Sequence, residues 1–208
     1  MEIRDDGEGI FKRIARLTGL GDPREAILEL SKGKLTTAPE NHAGEGIFFT
    51  SRAFDAFLIV SGELRFDHMQ ESDIDMMGHL ETGLGGTRVI MFPQPTTQRT
   101  LFSVFDAFTD AETHDFSKTV VPIRLALYEG DQLVSRSQAK RIMNRVERFK
   151  NVMLDFEGVE SVGRSFADEL FRVFAGRHPG PTIRPINTNP QIEKEIARVL
   201  GTAANDPA

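Results

Sequence analysis

The sequence predicts two successive α/β modules: mixed helices and β-prone runs in the first half and a small, mostly parallel α/β layer in the second. Three observations predict them. Glycine turns at residues 5–9 and 44–46 each lead into an apolar run of helical spacing, and β-prone runs follow the second turn. The second half alternates strand and helix patterns repeatedly, as a parallel sheet with crossover helices requires. Charge also divides the chain: residues 1–95 hold 10 basic and 16 acidic side chains, whereas 96–208 hold 15 of each, for a net charge of -6.

A chain of 208 residues with 39% hydrophobic and 27% charged side chains can bury a real core. It has no cysteine, which excludes disulfides, thiolate metal sites and a cysteine nucleophile. Its apolar runs fall far short of the roughly 20 residues of a membrane helix, and no signal peptide is visible. The expectation is a soluble, cytoplasmic protein without membrane contact. Neither half has the positive balance of a nucleic-acid-binding surface.

In chain order, Met1 to Arg4 read as the end of a strand and Asp5, Gly7 and Gly9 as a D-x-G-x-G turn. Ile10, Phe11, Ile14 and Leu17 then form a helical stripe that Gly19 and Gly21 break. Asp22-Pro23 starts a second helix, carried by Ala26, Ile27 and Leu30 and ending near Gly33. From Ser31 to Ala43 the chain is polar and aperiodic. This segment reads as a lid offering Lys32 or Lys34 as point charges to phosphates, or as a solvated loop.

Gly44 and Gly46, in the stretch Glu40 to Thr50, precede a helix over residues 47–54, whose N-terminus favours anions. Among these residues His42, Glu40 and Glu45 are the candidates for acid–base work, and a lone histidine in a polar lid is more often solvated. Residues 55–70 read as two strands around a Ser61-Gly62 turn. A third strand, TRVIMF, follows Gly85-Gly86 and is stopped by Pro93 and Pro95.

This order resembles the Bergerat-fold ATPases, the superfamily of histidine kinases, gyrase B and MutL, over about residues 2–95, which implies an incomplete two-layer α+β sandwich of Bergerat type. The resemblance implies that Asp5 hydrogen-bonds the adenine amino group of ATP while Gly7 and Gly9 shape the adenine pocket. Gly44, Gly46 and Ile47 would hold the phosphates. His42 stands where many members have a glycine, and Glu45 where an apolar residue is common. The family's N-box helix, which supplies the asparagine for Mg2+ and often an activating glutamate, lies upstream of the first box, whereas Met1 here falls inside the strand before Asp5. The chain is therefore expected to be either a fragment or a degenerate copy, binding Mg2+ only if an N-box precedes it and inactive in phosphoryl transfer as written.

Residues 96–117 read as a connector, with Leu101, Phe102, Phe105 and Phe108 as packing residues. A strand from Thr119, a turn at residues 129–131 and a Ser135- or Ser137-capped helix follow. That helix has Ala139, Ile142, Met143, Val146 and Phe149 inward, and its remaining face is basic. NVMLDFEGV reads as a buried strand, SFADELFRVFAG as a helix N-capped by Ser165, residues 182–187 as a strand and 190–200 as the last helix. Residues 201–208 read as a disordered tail.

Through LDFEGV and SFADELF, residues 118–200 resemble the STAS-like domain of unknown function and, more distantly, the STAS antagonists of anti-sigma factors. In those antagonists a serine at the start of the corresponding helix is phosphorylated by a Bergerat-fold kinase. The resemblance makes Ser165 the phosphorylation candidate, although Gly163 replaces the usual aspartate and Arg164 falls where the acceptor is most often found. Together the halves suggest an ATP-binding regulatory protein with a STAS-like output domain, its partners being a nucleotide and another protein or its own second domain. The alternative is a non-catalytic interaction module on a remnant nucleotide scaffold.

Overall fold

A computed structural model describes residues 1–37, 40, 42–128 and 131–203, with the side chains of residues 202 and 203 left aside. Parts of the expected lid (38, 39, 41), the expected turn at 129–131 (129, 130) and the end of the expected tail (204–208) lie outside the described residues. The chain divides into two units, Met1–His114 and Asp115–Ala208.

The first unit is built on an antiparallel sheet. Strand β1 (Glu2–Asp5) precedes helix α1 (Ile10–Thr18), which buries Phe11, Ile14 and Ala15. Gly19, at φ 69°, closes α1 by donating its N–H to Ala15 O. Helix α2 (Pro23–Lys32) starts where the Asp22 side chain accepts from Arg24 N and ends at Gly33, φ 84°. Ser31 and Lys32 therefore belong to a helix and not to the lid. Helix α3 (Gly46–Ala53) leads to β2 (Ala56–Met69), and β3 (Ile74–Phe92) returns beside it.

The sheet order is β1-β3-β2, with Glu2 opposite Ile90 and Ala56 opposite Phe92. Helices α1 and α3 pack on β2, whose Phe57 and Ile59 are buried. Ser61-Gly62 is not a hairpin turn. β2 runs straight through it as a bulge, with Gly62 at φ 61° and the register jumping from Ser61–Thr87 to Gly62–Leu84 and Leu64–His79. A positive-φ glycine serves a bulge as readily as a turn, so Ser-Gly alone does not distinguish them. The reversal lies beyond Met69, where Asp73 takes φ 50°.

The expected connector is ordered. Helix α4 (Leu101–Phe108) belongs to the first unit, with Thr100 and Ser103 forming a reciprocal capping box. It packs on α3, Phe105 stacking on Phe49 at 4.1 Å between ring centroids and Phe108 meeting Phe48 edge-on at 4.9 Å.

In the second unit β4 (Lys118–Pro122), β5 (Asn151–Asp155) and β6 (Thr182–Ile186) form a parallel sheet in that order. The expected long first strand stops at Pro122 and becomes a 3-10 turn, Ile123–Ala126. Helix α5 (Arg136–Met143) is capped by Ser135 with Gln138 in a capping box. It ends six residues before Phe149, because Arg145 adopts φ 64° and a 3-10 turn, Val146–Arg148, follows. Val146 and Phe149 are nonetheless buried. Helix α6 (Arg164–Asp168) passes through a π-helical stretch (Glu169–Val173) into α7 (Phe174–Arg177). Helix α8 (Pro190–Ala203) extends into the segment expected to be a tail. The chain is thus a mixed α/β protein with an antiparallel and a parallel sheet.

Candidate functional site

The first glycine turn is held by close backbone approach. Asp5 Oδ1 accepts from Gly7 N at 2.8 Å and from Thr87 N at 3.2 Å, which ties the end of β1 to β3. Thr87 Oγ1 in turn accepts from Ile10 N at 3.0 Å and so caps α1. A Cβ on Gly9, which has φ 90°, would lie 2.4 Å from Ser61 Oγ, and one on Gly86 would lie 2.1 Å from Asp5 O. Ser61 Oγ completes the arrangement by donating to Gly86 O at 2.9 Å. The sequence places Ser61 in a turn and Gly86 and Thr87 at the start of a strand, without assigning any of them to this site. The only signal was the Gly-Gly-Thr before the last strand.

The second glycine turn opens on a cavity of about 450 Å3. Gly44, Gly46 and Ile47 line it together with Thr36, Thr37 and His42. Ile10, Arg13 and Ile14 of α1 form its other wall. The two glycines have different roles. Gly44 has φ 78°, and a Cβ there would fall 2.5 Å from the Leu35 carbonyl carbon, so packing alone requires glycine. A Cβ on Gly46 would meet nothing within 4 Å. Glu45 gives α3 no side-chain cap.

Asp5, Gly7 and Gly9 are not in the cavity lining, and the first turn reaches it through Ile10, the next residue. Lys32 does not reach it either. Its ammonium is buried 2.7 Å from Glu29 Oε1, with the side chain only 1% exposed, so it is no lid cation. Lys34 is half-buried at φ 54°, outside the lining.

Behind the cavity, the far end of α3 is anchored by a buried polar cluster. Arg52 donates to Asp75 Oδ2 at 3.0 Å and to Ser51 Oγ at 3.0 Å, and its guanidinium lies 3.8 Å from the centroid of the Phe48 ring. His68 Nδ1 lies 2.8 Å from Asp75 Oδ1. Burial would raise the Asp75 carboxyl, but Arg52 and His68 outweigh it and hold the group below the usual carboxylate range. Asp67 shows the reverse, burial raising its carboxyl despite Arg65. No group of three histidine, aspartate or glutamate side chains among the described residues could hold a metal.

In the second unit Ser165 is not an N-cap. It is the second residue of α6, exposed, with Gly163 in the cap position. Glycine is needed there because a Cβ would approach Val134 Cα to 2.9 Å. Asp155, at the end of β5, accepts through Oδ1 from Glu157 N and Asn187 Nδ2. Asp168 is held below the usual range by its hydrogen bond from Arg172, with Arg136 adding to it.

A family model for the STAS-like domain of unknown function matches residues 138–193, from α5 into α8. The second unit is thus similar to a STAS-like domain over that span. No curated protein and no solved structure matches the chain significantly. Among the described residues no helix is long and apolar enough to cross a membrane.

Proposed function

We propose that the protein is an ATP-binding regulator in which a histidine-kinase-like module of Bergerat type is coupled to a STAS-like output domain. One observation carries this reading: α1 joins the two glycine turns. Its first N–H is fixed by Thr87 beside Asp5, and its next turn walls the cavity onto which Gly46 opens. The cavity volume, about 450 Å3, lies within the range of small-molecule pockets.

In this reading Asp5 accepts from the adenine amino group with Oδ2, since Gly7 and Thr87 both donate to Oδ1. The N–H groups of Gly46 and Ile47 face the phosphates, with Arg13, Thr36 and Thr37 alongside. Phosphate contacts at Thr36, Thr37 and His42 would then bias the state of the second unit. Ser165, exposed in the first turn of α6 beside Arg164, is the proposed phosphorylation site, since a phosphate there gains from the helix N-terminus.

Titration calorimetry of the full chain with ATP and ADP tests the binding. Binding should weaken by about 10- to 100-fold in Asp5→Asn, the loss of about 1.5–3 kcal/mol from one charged hydrogen bond. The second reading, an interaction module on a remnant scaffold, is favoured by Gly44, whose glycine is explained without any ligand. Absence of binding up to about 1 mM nucleotide would establish that reading over the first.

A further inference from the structure

Among the described residues that line the cavity beside Gly44 and Gly46, Arg13 is the only arginine, lysine, aspartate or glutamate. The rest of the lining is apolar side chains, two threonines, two glycines and His42. Arg13 is nonetheless held only loosely. Among the described residues its guanidinium makes no hydrogen bond, and its ion pair is with Glu8, Nη1 lying 3.5 Å from Oε1.

Glu8 stands between Gly7 and Gly9 of the first glycine turn and is gripped by a second arginine. Arg16 donates to it twice, from Nη2 to Oε1 at 2.6 Å and from Nε to Oε2 at 3.2 Å. Arg13 and Arg16 are one helical turn apart on α1, so one carboxylate serves both. The hydrogen bond from Arg16, with the charge of Arg13 adding to it, holds the Glu8 carboxyl below the usual range, so it is an anion at neutral pH. An anion entering the cavity therefore meets Arg13 against two opponents, the pull of Glu8 and a chain of net charge -6.

We propose, resting on the nucleotide reading of this cavity, that Arg13 discriminates ligands by their number of phosphates and that Glu8 sets the strength of that discrimination by competing for the guanidinium. A more highly charged ligand takes Arg13 from Glu8 more completely, so a triphosphate gains most from Arg13 and a monophosphate least. Glu8 keeps Arg16 as its hydrogen-bonded partner when Arg13 turns to the ligand.

Titration calorimetry of the full chain at low salt with AMP, ADP, ATP and inorganic triphosphate, a probe without a base, tests this. Glu8→Gln should tighten ATP and triphosphate by about two- to fivefold, the range of an exposed charge pair, and AMP least. Arg13→Gln should weaken ATP by at least about fivefold, less than a buried charged hydrogen bond would give because Arg13 is 62% exposed. In the Arg13→Gln background the Glu8→Gln gain should vanish, a non-additivity that a merely structural role of either residue would not produce. Glu71→Gln removes the same charge from the exposed turn after β2 and should leave every affinity unchanged. Circular dichroism should not change in any variant, since these side chains lie on the surface. Triphosphate binding with this pattern but no ATP binding would sustain the roles of Arg13 and Glu8 and remove the nucleotide reading. ATP binding that ignores Glu8→Gln, or that tightens equally with Arg13 replaced or in Glu71→Gln, would overturn those roles and leave the nucleotide reading standing. Absence of binding by both ligands up to about 1 mM would overturn both.

Discussion

Replacing Arg52 with methionine should destabilise the first unit severely while leaving its cavity lining chemically intact. The Arg52 side chain is 8% exposed and that of Asp75 3%, and Arg52 gives Asp75 Oδ2 its 3.0 Å partner. In Arg52→Met the carboxylate stays buried without its guanidinium partner. Removing one member of a buried ion pair costs about 3–5 kcal/mol, since the other charge is left uncompensated. For a unit of the size of Met1–His114 this lowers the melting temperature by about 12–20 °C. The chain has no tryptophan and its single tyrosine, Tyr128, lies outside this unit, so fluorescence does not report it. Calorimetry, with hydrogen exchange of the α3 amides, does. Arg52→Lys should recover part of the loss. Arg52→Met/Asp75→Leu should recover more, because apolar groups of similar volume often replace buried pairs without cost. The Asp75 contribution is present above the ordinary aspartate value, about 3.9, and is lost as pH falls through its lower folded-state value. Arg52→Met should flatten that acid-side decline. A shift below about 1 kcal/mol, the range of exposed pairs, would refute the claim that the cluster is dry.

Other substitutions separate structural from ligand-facing roles. Gly44→Ala should lose at least about 2 kcal/mol in urea unfolding, from left-handed strain and collision with the Leu35 backbone, while Gly46→Ala should change stability by no more than about 1 kcal/mol. Asp67, with Oδ1 buried and unpartnered, has a raised carboxyl, so its folded form binds the proton more tightly than the unfolded chain. Its contribution is fully present at low pH and declines as pH rises from about 3.9 through the higher folded-state value. Asp67→Asn should therefore gain stability relative to wild type at pH 7 more than at pH 3, as urea midpoints at the two pH values would show.

Local signals were read well where one residue type carries one meaning. Asp22, Pro23 and Gly33 delimit α2 because cap, first-turn proline and terminating glycine act within a few residues of each other. The parallel layer of the second unit was likewise visible in its strand–helix alternation. Errors arose where one residue suits two geometries. Gly62 bends a continuous strand, and Lys32, read as a lid cation, is neutralised by Glu29 one helical turn away. Val146 and Phe149 were correctly expected to be buried although the helix meant to carry them ends early, because burial follows hydrophobicity more reliably than helix length does.

The candidate site divides in the same way. Its glycines were conspicuous in the sequence, since only glycine adopts φ 78° or φ 90° without strain. What each glycine is for depended on atoms distant in the chain: Leu35 against Gly44, Ser61 against Gly9, Asp5 against Gly86. Thr87, which caps α1 across 77 positions, and the Arg52–Asp75–His68 cluster had no local pattern to announce them. The sequence by itself determined the type of most elements, several of their caps and a core of the right residues, because propensity, capping and periodicity act over a few residues. Tertiary structure alone decided which glycine faces open space and which faces another backbone, and which charges are buried in pairs. Those outcomes depend on contacts between segments that sequence spacing does not encode.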